Sequence, residues 1–196
     1  MERDFTTGNV FRNIIYYSIP YLLSYFLQTL YGMADLFIIG RFEGVAATTA
    51  VSIGGQVMHM VTVMLVGLAM GTTVSIAQAV GAKRREEASH CIGNTVTLFM
   101  VLSVVLAGVL VMCVRPIVGL VSTPAEAVEG TVTYLTICFA GIPFITAYNI
   151  ISSIFRGLGD SKSPMYFIAV ACAANIVLDY LFMGAMHLGP AGAALG

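Results

Sequence analysis

Charge is what this sequence has least of. Asp, Glu, Lys and Arg make up 10% of its 196 residues, where a soluble domain would carry about a quarter. With 58% hydrophobic residues and a mean hydropathy of +0.91, the chain is an integral membrane protein. Tryptophan is missing altogether, so interfacial anchoring falls to tyrosines such as Tyr16, Tyr17, Tyr134 and Tyr166. The four cysteines (Cys91, Cys113, Cys138, Cys172) show no CxxC or metal-ligand spacing. They read as small buried hydrophobes, which argues against a disulfide framework. His59, His90 and His187 share no metal spacing either. No HExxH, GxSxG or Asp-rich diphosphate motif appears, and no Ser–His pairing is suggested by position, which argues against an intramembrane enzyme. No cofactor and no nucleic acid are expected; the surrounding partner is membrane lipid. A cleavable leader is not evident, because Met1–Arg12 is polar and the first apolar run is long enough to span.

What is present is apolar length. A bilayer core needs roughly 20 apolar residues per helix, and five segments qualify: Asn13–Ile39, Ala46–Met70, Ile92–Val114, Val132–Phe155 and Met165–Met186. The expected organisation is a cytoplasmic N-terminal segment over 1–12 and a transmembrane lobe over 13–196. Val45–Ala82 carries no charge over its whole length and as one helix would run about 57 Å. Gly54-Gly55 and Gly71 are therefore candidate breaks, with Thr72–Ala82 as a cytosolic end. Seven of the nine basic residues (Arg3, Arg12, Lys83, Arg84, Arg85, Arg156, Lys162) fall in alternate loops, leaving Arg41 and Arg115 on the other side. By the positive-inside rule the N-terminus is cytoplasmic, and the protein is a multi-pass component of the plasma (cytoplasmic) membrane. Gly189–Gly196 reads as the first turns of a sixth helix starting near 190, so the sequence has the form of a fragment. A short match between Ile19-Pro20-Tyr21-Leu22 and Ile142-Pro143-Phe144-Ile145 is too brief to establish an internal repeat.

Against this background two carboxylates stand out. Asp35 is the sole charge in Tyr16–Gly40, and Asp179 the sole charge in Ser163–Gly196. A carboxylate at the centre of a membrane helix costs on the order of 3 kcal/mol by insertion scales. Gln28, Tyr31 and Asp35 are spaced i, i+3, i+7 and share one helical stripe; Asn175 and Asp179 share another, and Asn149 lies within the fourth span. In lipid these groups need partners, so the stripes should face each other or a wet cavity. Two carboxylates brought together must share a proton, bind a cation or separate. With the Asn175 amide oxygen they suit a proton or a hard cation such as Na⁺. The plainer reading is helix–helix glue, worth about 1 kcal/mol per pair. It serves Gln28 and Asn149 as well as function does, but an amide would glue without the ionisation cost of Asp35 or Asp179.

Other features say less. Several of the eleven methionines cluster near Met58–Met70, where they either line an adaptable cavity or simply pack. Pro20 is a candidate hinge in the first helix, and Pro143 a kink in the fourth. Lys83–Glu87 is a solvated loop. A channel or a non-catalytic assembly subunit would use the same acidic stripe, and concentrative flux separates a transporter from both.

The motifs together resemble a known family. Pro20 followed by Asp35-Leu-Phe-Ile-Ile-Gly40-Arg-Phe-Glu-Gly44, Ala77-Gln-Ala-Val-Gly-Ala82, Arg156-Gly-Leu-Gly-Asp160-Ser-Lys-Ser-Pro164 and Asn175-Ile-Val-Leu-Asp179 with Gly184 and Gly189-Pro-Ala-Gly-Ala-Ala194 are similar to the multidrug and toxic compound extrusion (MATE) transporters. The resemblance implies an all-α fold of two six-helix lobes around a central cavity. This chain would be the first lobe, with five complete helices and the start of a sixth, and a C-terminal lobe would complete it. It further implies antiport, with inward Na⁺ or H⁺ driving export of small organic, often cationic, substrates. Asp35, Asn175 and Asp179 would then form the coupling site, with Gln28, Tyr31 and Asn149 as cavity polar groups. A lipid-precursor flippase of the same superfamily is the related alternative. It would want Lys or Arg facing the cavity, and none lies within the five spans.

Overall fold

The computed structural model describes residues 9–196; residues 1–8, with Arg3 and most of the expected cytoplasmic segment, lie outside them. The described chain is helical throughout, with eight α-helices: α1 (Val10–Phe42), α2 (Val45–Gly81), α3 (Arg85–Met112), α4 (Val114–Leu120), α5 (Val128–Ala140), α6 (Ile142–Gly157), α7 (Lys162–Asp179) and α8 (Pro190–Leu195). A 3₁₀ turn at Ala125–Ala127 precedes α5, and a π-helical turn at Tyr180–Ala185 follows α7. Helices α1, α2 and α3 and the run Lys162–Ala185 are each long and apolar enough to cross a membrane. The bent pair Ala125–Ala140 and Ile142–Gly157 makes a fifth candidate span.

Three details depart from the sequence expectations. First, α2 runs unbroken through Gly54-Gly55 and Gly71. Gly54 serves packing instead: a Cβ there would collide with the ring of Tyr134, so the missing side chain lets α5 seat its tyrosine against α2. Gly157 does the same for α6, where a Cβ would stand 2.9 Å from Ile76 on α2. Second, the fourth span is the one that breaks. It bends by 50° between α5 and α6, with Gly141 capping α6 and Pro143 in that helix's first turn, where a missing N–H costs nothing. Third, the fifth span is α-helical only as far as Asp179, and the π turn begins at the next residue. The Met186 amide there donates to the Leu181 carbonyl at 3.0 Å. Such turns place an extra residue in a helix and frequently occur at functional sites.

The core explains the order of the helices. Ile38, Ile39, Val51, Val57, Val61, Leu65, Leu135, Phe139, Ile142 and Met183 form one buried cluster joining α1, α2, α5, α6 and the π turn. Large apolar residues on the outer faces, such as Phe26, Leu98, Val105 and Val170, remain exposed, as lipid-facing residues do. The helices α1, α2, α6 and α7 form a ring: α1 packs on α2 and α7, and α6 packs on α2 and α7. Across that ring, among the described residues, no Cα of α1 lies within 8 Å of one in α6. The acidic groups lie on α1 and α7, two of its four sides.

Candidate functional site

Asp35 and Asp179 come together. Helix α1 packs along α7, and the Asp35 carboxyl lies beside both the Asp179 carboxyl and the Asn175 side chain. Helical spacing sets Asn175 one turn before Asp179, so one face of α7 offers both to α1. Asp179 is fully buried, and Asp35 and Asn175 are half-buried. The C-terminal ends of the two helices are fixed together by the Phe42 and Tyr180 rings, edge to face at 5.9 Å. A side chain at Gly184 would crowd the Phe42 ring at 3.1 Å. Gly196, just past α8, lies against Asp179, and a side chain there would strike the Asp179 carboxyl.

Within the described residues the pocket holds more acceptor oxygens than donors. Among the described residues, seven buried side-chain oxygens have no hydrogen-bond partner, and four of them are Asp35 Oδ1, Asn175 Oδ1 and both Oδ atoms of Asp179. Buried oxygens without donors are costly, and an all-oxygen cluster of this kind fits a proton or a hard cation. Among the described residues no trio of His, Cys, Asp and Glu gathers as a transition-metal site.

The remaining candidates divide. Tyr31 lies in electrostatic reach of Asp35 and Tyr148, at the edge of the pocket. Gln28, one turn earlier, is exposed on α1. Asn149 is turned back on its own helix, its amide donating to the Ile145 carbonyl at 2.8 Å, an arrangement that serves α6 rather than the carboxyls. Pro20 is buried in α1, and the Ser24 hydroxyl donates to its carbonyl at 2.8 Å. That local bond bends helices at a point where proline has already removed one backbone bond.

Sequence reasoning missed Tyr134. Expected at an interface, it is instead 9% exposed, beside Cys138 and in electrostatic reach of Asp35 and Tyr31. It seats against Gly54 of α2, a contact between distant segments that no sequence signal marks. Arg156, expected in a loop, is the penultimate residue of α6 and half-buried.

A multi-span helical membrane protein with a buried, unsaturated carboxyl pair is the class that this fold and site define. The family model MatE matches residues 20–181. The chain belongs to the MatE family, that of the multidrug-efflux transporters. It is 34% identical over 191 residues to the "Probable multidrug resistance protein YpnP" of Bacillus subtilis (strain 168), covering 97% of this chain and 43% of that protein. A solved structure described as the outward-facing conformation of a multidrug resistance MATE family transporter of the MOP superfamily matches with a TM-score of 0.88 at 28% identity. It covers 96% of this chain, which spans 42% of it. The inward-facing conformation of such a transporter matches at 0.79 and 29% identity, over 86% of this chain and 38% of its own. The chain thus spans less than half the length of the relatives it matches, and its fold is that of the first lobe of a MATE-type transporter.

Proposed function

We propose that this chain forms the N-terminal lobe of a secondary antiporter. It exports small organic, often cationic, compounds in exchange for Na⁺ or H⁺, with Asp35, Asn175 and Asp179 as the coupling site. The observation that carries the proposal is the group of four buried, unpartnered oxygens on those three residues. A proton or Na⁺ entering the pocket supplies what the helices do not. It removes the repulsion between two touching carboxylates, and the membrane potential drives its entry with about 2.3 kcal/mol per charge per 100 mV. Once neutralised, α1 and α7 pack more closely around the pair. The strain is taken up at Pro20, below Asp35 on the same helix, and the substrate is released outward. The loop charges support a cytoplasmic N-terminus, and the lobe is placed in the plasma membrane on this reading. Lys and Arg occur only toward the ends of the helices that span, as Arg41, Arg156 and Lys162 do, and none lies in the apolar runs between, which favours cationic or neutral substrates over the anionic head groups of lipid precursors.

The test is ion-driven drug efflux from proteoliposomes holding the complete two-lobed protein. Asp35→Asn and Asp179→Asn should each abolish it while leaving membrane insertion intact. Normal transport by both variants would refute the assignment. Imposing a Na⁺ gradient and a proton gradient separately identifies the coupling ion.

A further inference from the structure

Three groups outside the carboxyl site mark a line through the lobe. Tyr148, Ser152 and Arg156 follow one another at four-residue intervals on α6, so they share one face. The Tyr148 hydroxyl lies beside Ser152 and within electrostatic reach of Arg156. At the other end Tyr31 links Tyr148 to Asp35. Both Tyr148 OH and Ser152 Oγ are buried without a hydrogen-bond partner, as the carboxyl oxygens are. The line thus follows the interval between α1 and α6, with α2 and α7 closing its sides.

The inner end of this line is closed by a positive charge. The Arg156 guanidinium donates to Ser153 Oγ at 3.0 Å and lies 5.7 Å from the centre of the Tyr21 ring, within cation–π range. The Tyr17 hydroxyl donates to the Arg156 carbonyl at 3.2 Å. Beside it, Lys162 Nζ stands 4.7 Å from the Tyr16 ring, and Asp160 is occupied with the start of α7. Three tyrosines from α1 before and just after Pro20 therefore tie that segment to the α6–α7 connection. Asp35 lies on the far side of the proline.

We infer that Arg156, held by Tyr17 and Tyr21, is a cationic gate on an intra-lobe passage that runs from the inner face past Ser152 and Tyr148 to the Asp35/Asp179 pair. A fixed guanidinium beside buried groups repels an approaching cation. The coupling ion exchanges with the inner face only when the inner half of α1 moves and draws Tyr17 and Tyr21 off Arg156. Because that half is joined to Asp35 through Pro20, opening the gate and reshaping the carboxyl site are one motion. The inference rests on the coupling reading for the identity of the ion, while the gate's geometry stands apart from it.

The experiment uses the complete two-lobed protein with Cys91, Cys113, Cys138 and Cys172 replaced by Ala and Ser152→Cys introduced. A membrane-impermeant cationic methanethiosulfonate is applied to either face. With Arg156 present, modification from the inner face is slow. Arg156→Gln raises its rate about tenfold or more, Tyr17→Phe raises it less, and Arg156→Lys, which keeps the charge, stays near the parent. Equal rates in all four proteins, or faster modification from the outer face, would overturn the gate. A second measurement needs no cysteine: substrate-independent leak of Na⁺ and H⁺ through proteoliposomes rises in Arg156→Gln and Tyr17→Phe, and leak unchanged in both overturns it as well. Neutral behaviour of Asp35→Asn and Asp179→Asn would refute the coupling reading alone, since thiol modification depends on access and not on coupling.

Discussion

Two of the polar regions within the apolar helices of this lobe are settled differently. Between α2, α3 and α6 the Thr95 hydroxyl donates to the Thr72 hydroxyl at 3.4 Å, and Thr73 Oγ1 lies 3.3 Å from the Ser153 carbonyl and 3.4 Å from that of Ala69. These groups hold helices together and are satisfied by them. Between α1 and α7 the carboxyls of Asp35 and Asp179 meet with four oxygens unpartnered. The hydroxyls of the first region find partners in the fold, whereas the carboxyl pair keeps oxygens free, as the proposed ion site would need. The contrast distinguishes glue from function more sharply than residue type does.

The largest expected effect breaks the comparison at its functional end. Asp179→Asn supplies an amide donor to the pocket and removes its charge, so thermal unfolding in detergent should shift little or upward. Coupled efflux by the two-lobed protein should be abolished. Loss of folding instead of coupling would make the pair structural.

Next in size is the boundary between the regions, where Tyr134 touches α2 and faces the carboxyls. Gly54→Ala drives a methyl into the Tyr134 ring, and overpacking of this kind costs about 1–3 kcal/mol. Unfolding in detergent should register the loss, and adding Tyr134→Leu should recover part of it. A neutral Gly54→Ala would show that α5 slides away from α2 easily.

A smaller effect is expected at the settled seam. Thr72→Val with Thr95→Val removes both partners of one bond together, so no orphan remains, and the cost is about 1 kcal/mol or less. Unfolding measures the cost, and the ratio of ions to substrate transported should be unchanged. A changed ratio would mean that the seam belongs to the mechanism.

How legible this was in the sequence differs between the same regions. The carboxyl pair could be read because a charge in a membrane helix is costly enough to be noticed one residue at a time, and helical spacing put Asn175 beside Asp179. The helices themselves were legible from apolar length. What could not be read were features set by contacts between distant segments. Gly54 and Gly141 look alike in sequence, yet one admits a ring from α5 and the other ends a helix, and only the neighbouring helix decides which. The π turn after Asp179 has no composition signal. Arg156 looked like a loop residue because the sequence gives no hint that Tyr17 and Tyr21, more than 130 positions earlier, fold over it.

The smallest effect concerns the inner connection on which the gate is mounted. Gly159, at φ 84°, turns the chain so that Asp160 accepts from the Lys162 and Ser163 amides at 3.0 and 3.1 Å and from the Ser163 hydroxyl at 2.6 Å. Partial burial pulls its carboxyl upward, but the Ser163 and Lys162 hydrogen bonds outweigh it and leave it below the ordinary carboxylate value. The native state therefore holds this proton less tightly than the unfolded chain does. The cap stabilises the start of α7 above the ordinary carboxylate range and is lost as pH falls through and below it. Asp160→Ala should remove the benefit at neutral pH and flatten that part of the acid dependence, whereas Asp160→Asn, still an acceptor, should keep much of it. Hydrogen exchange at the Lys162 and Ser163 amides measures the effect locally, where a shift in global unfolding would be too small to resolve. If Asp160→Ala left their protection unchanged, the start of α7 would be held by contacts other than this carboxyl, the Lys162–Tyr16 contact among them.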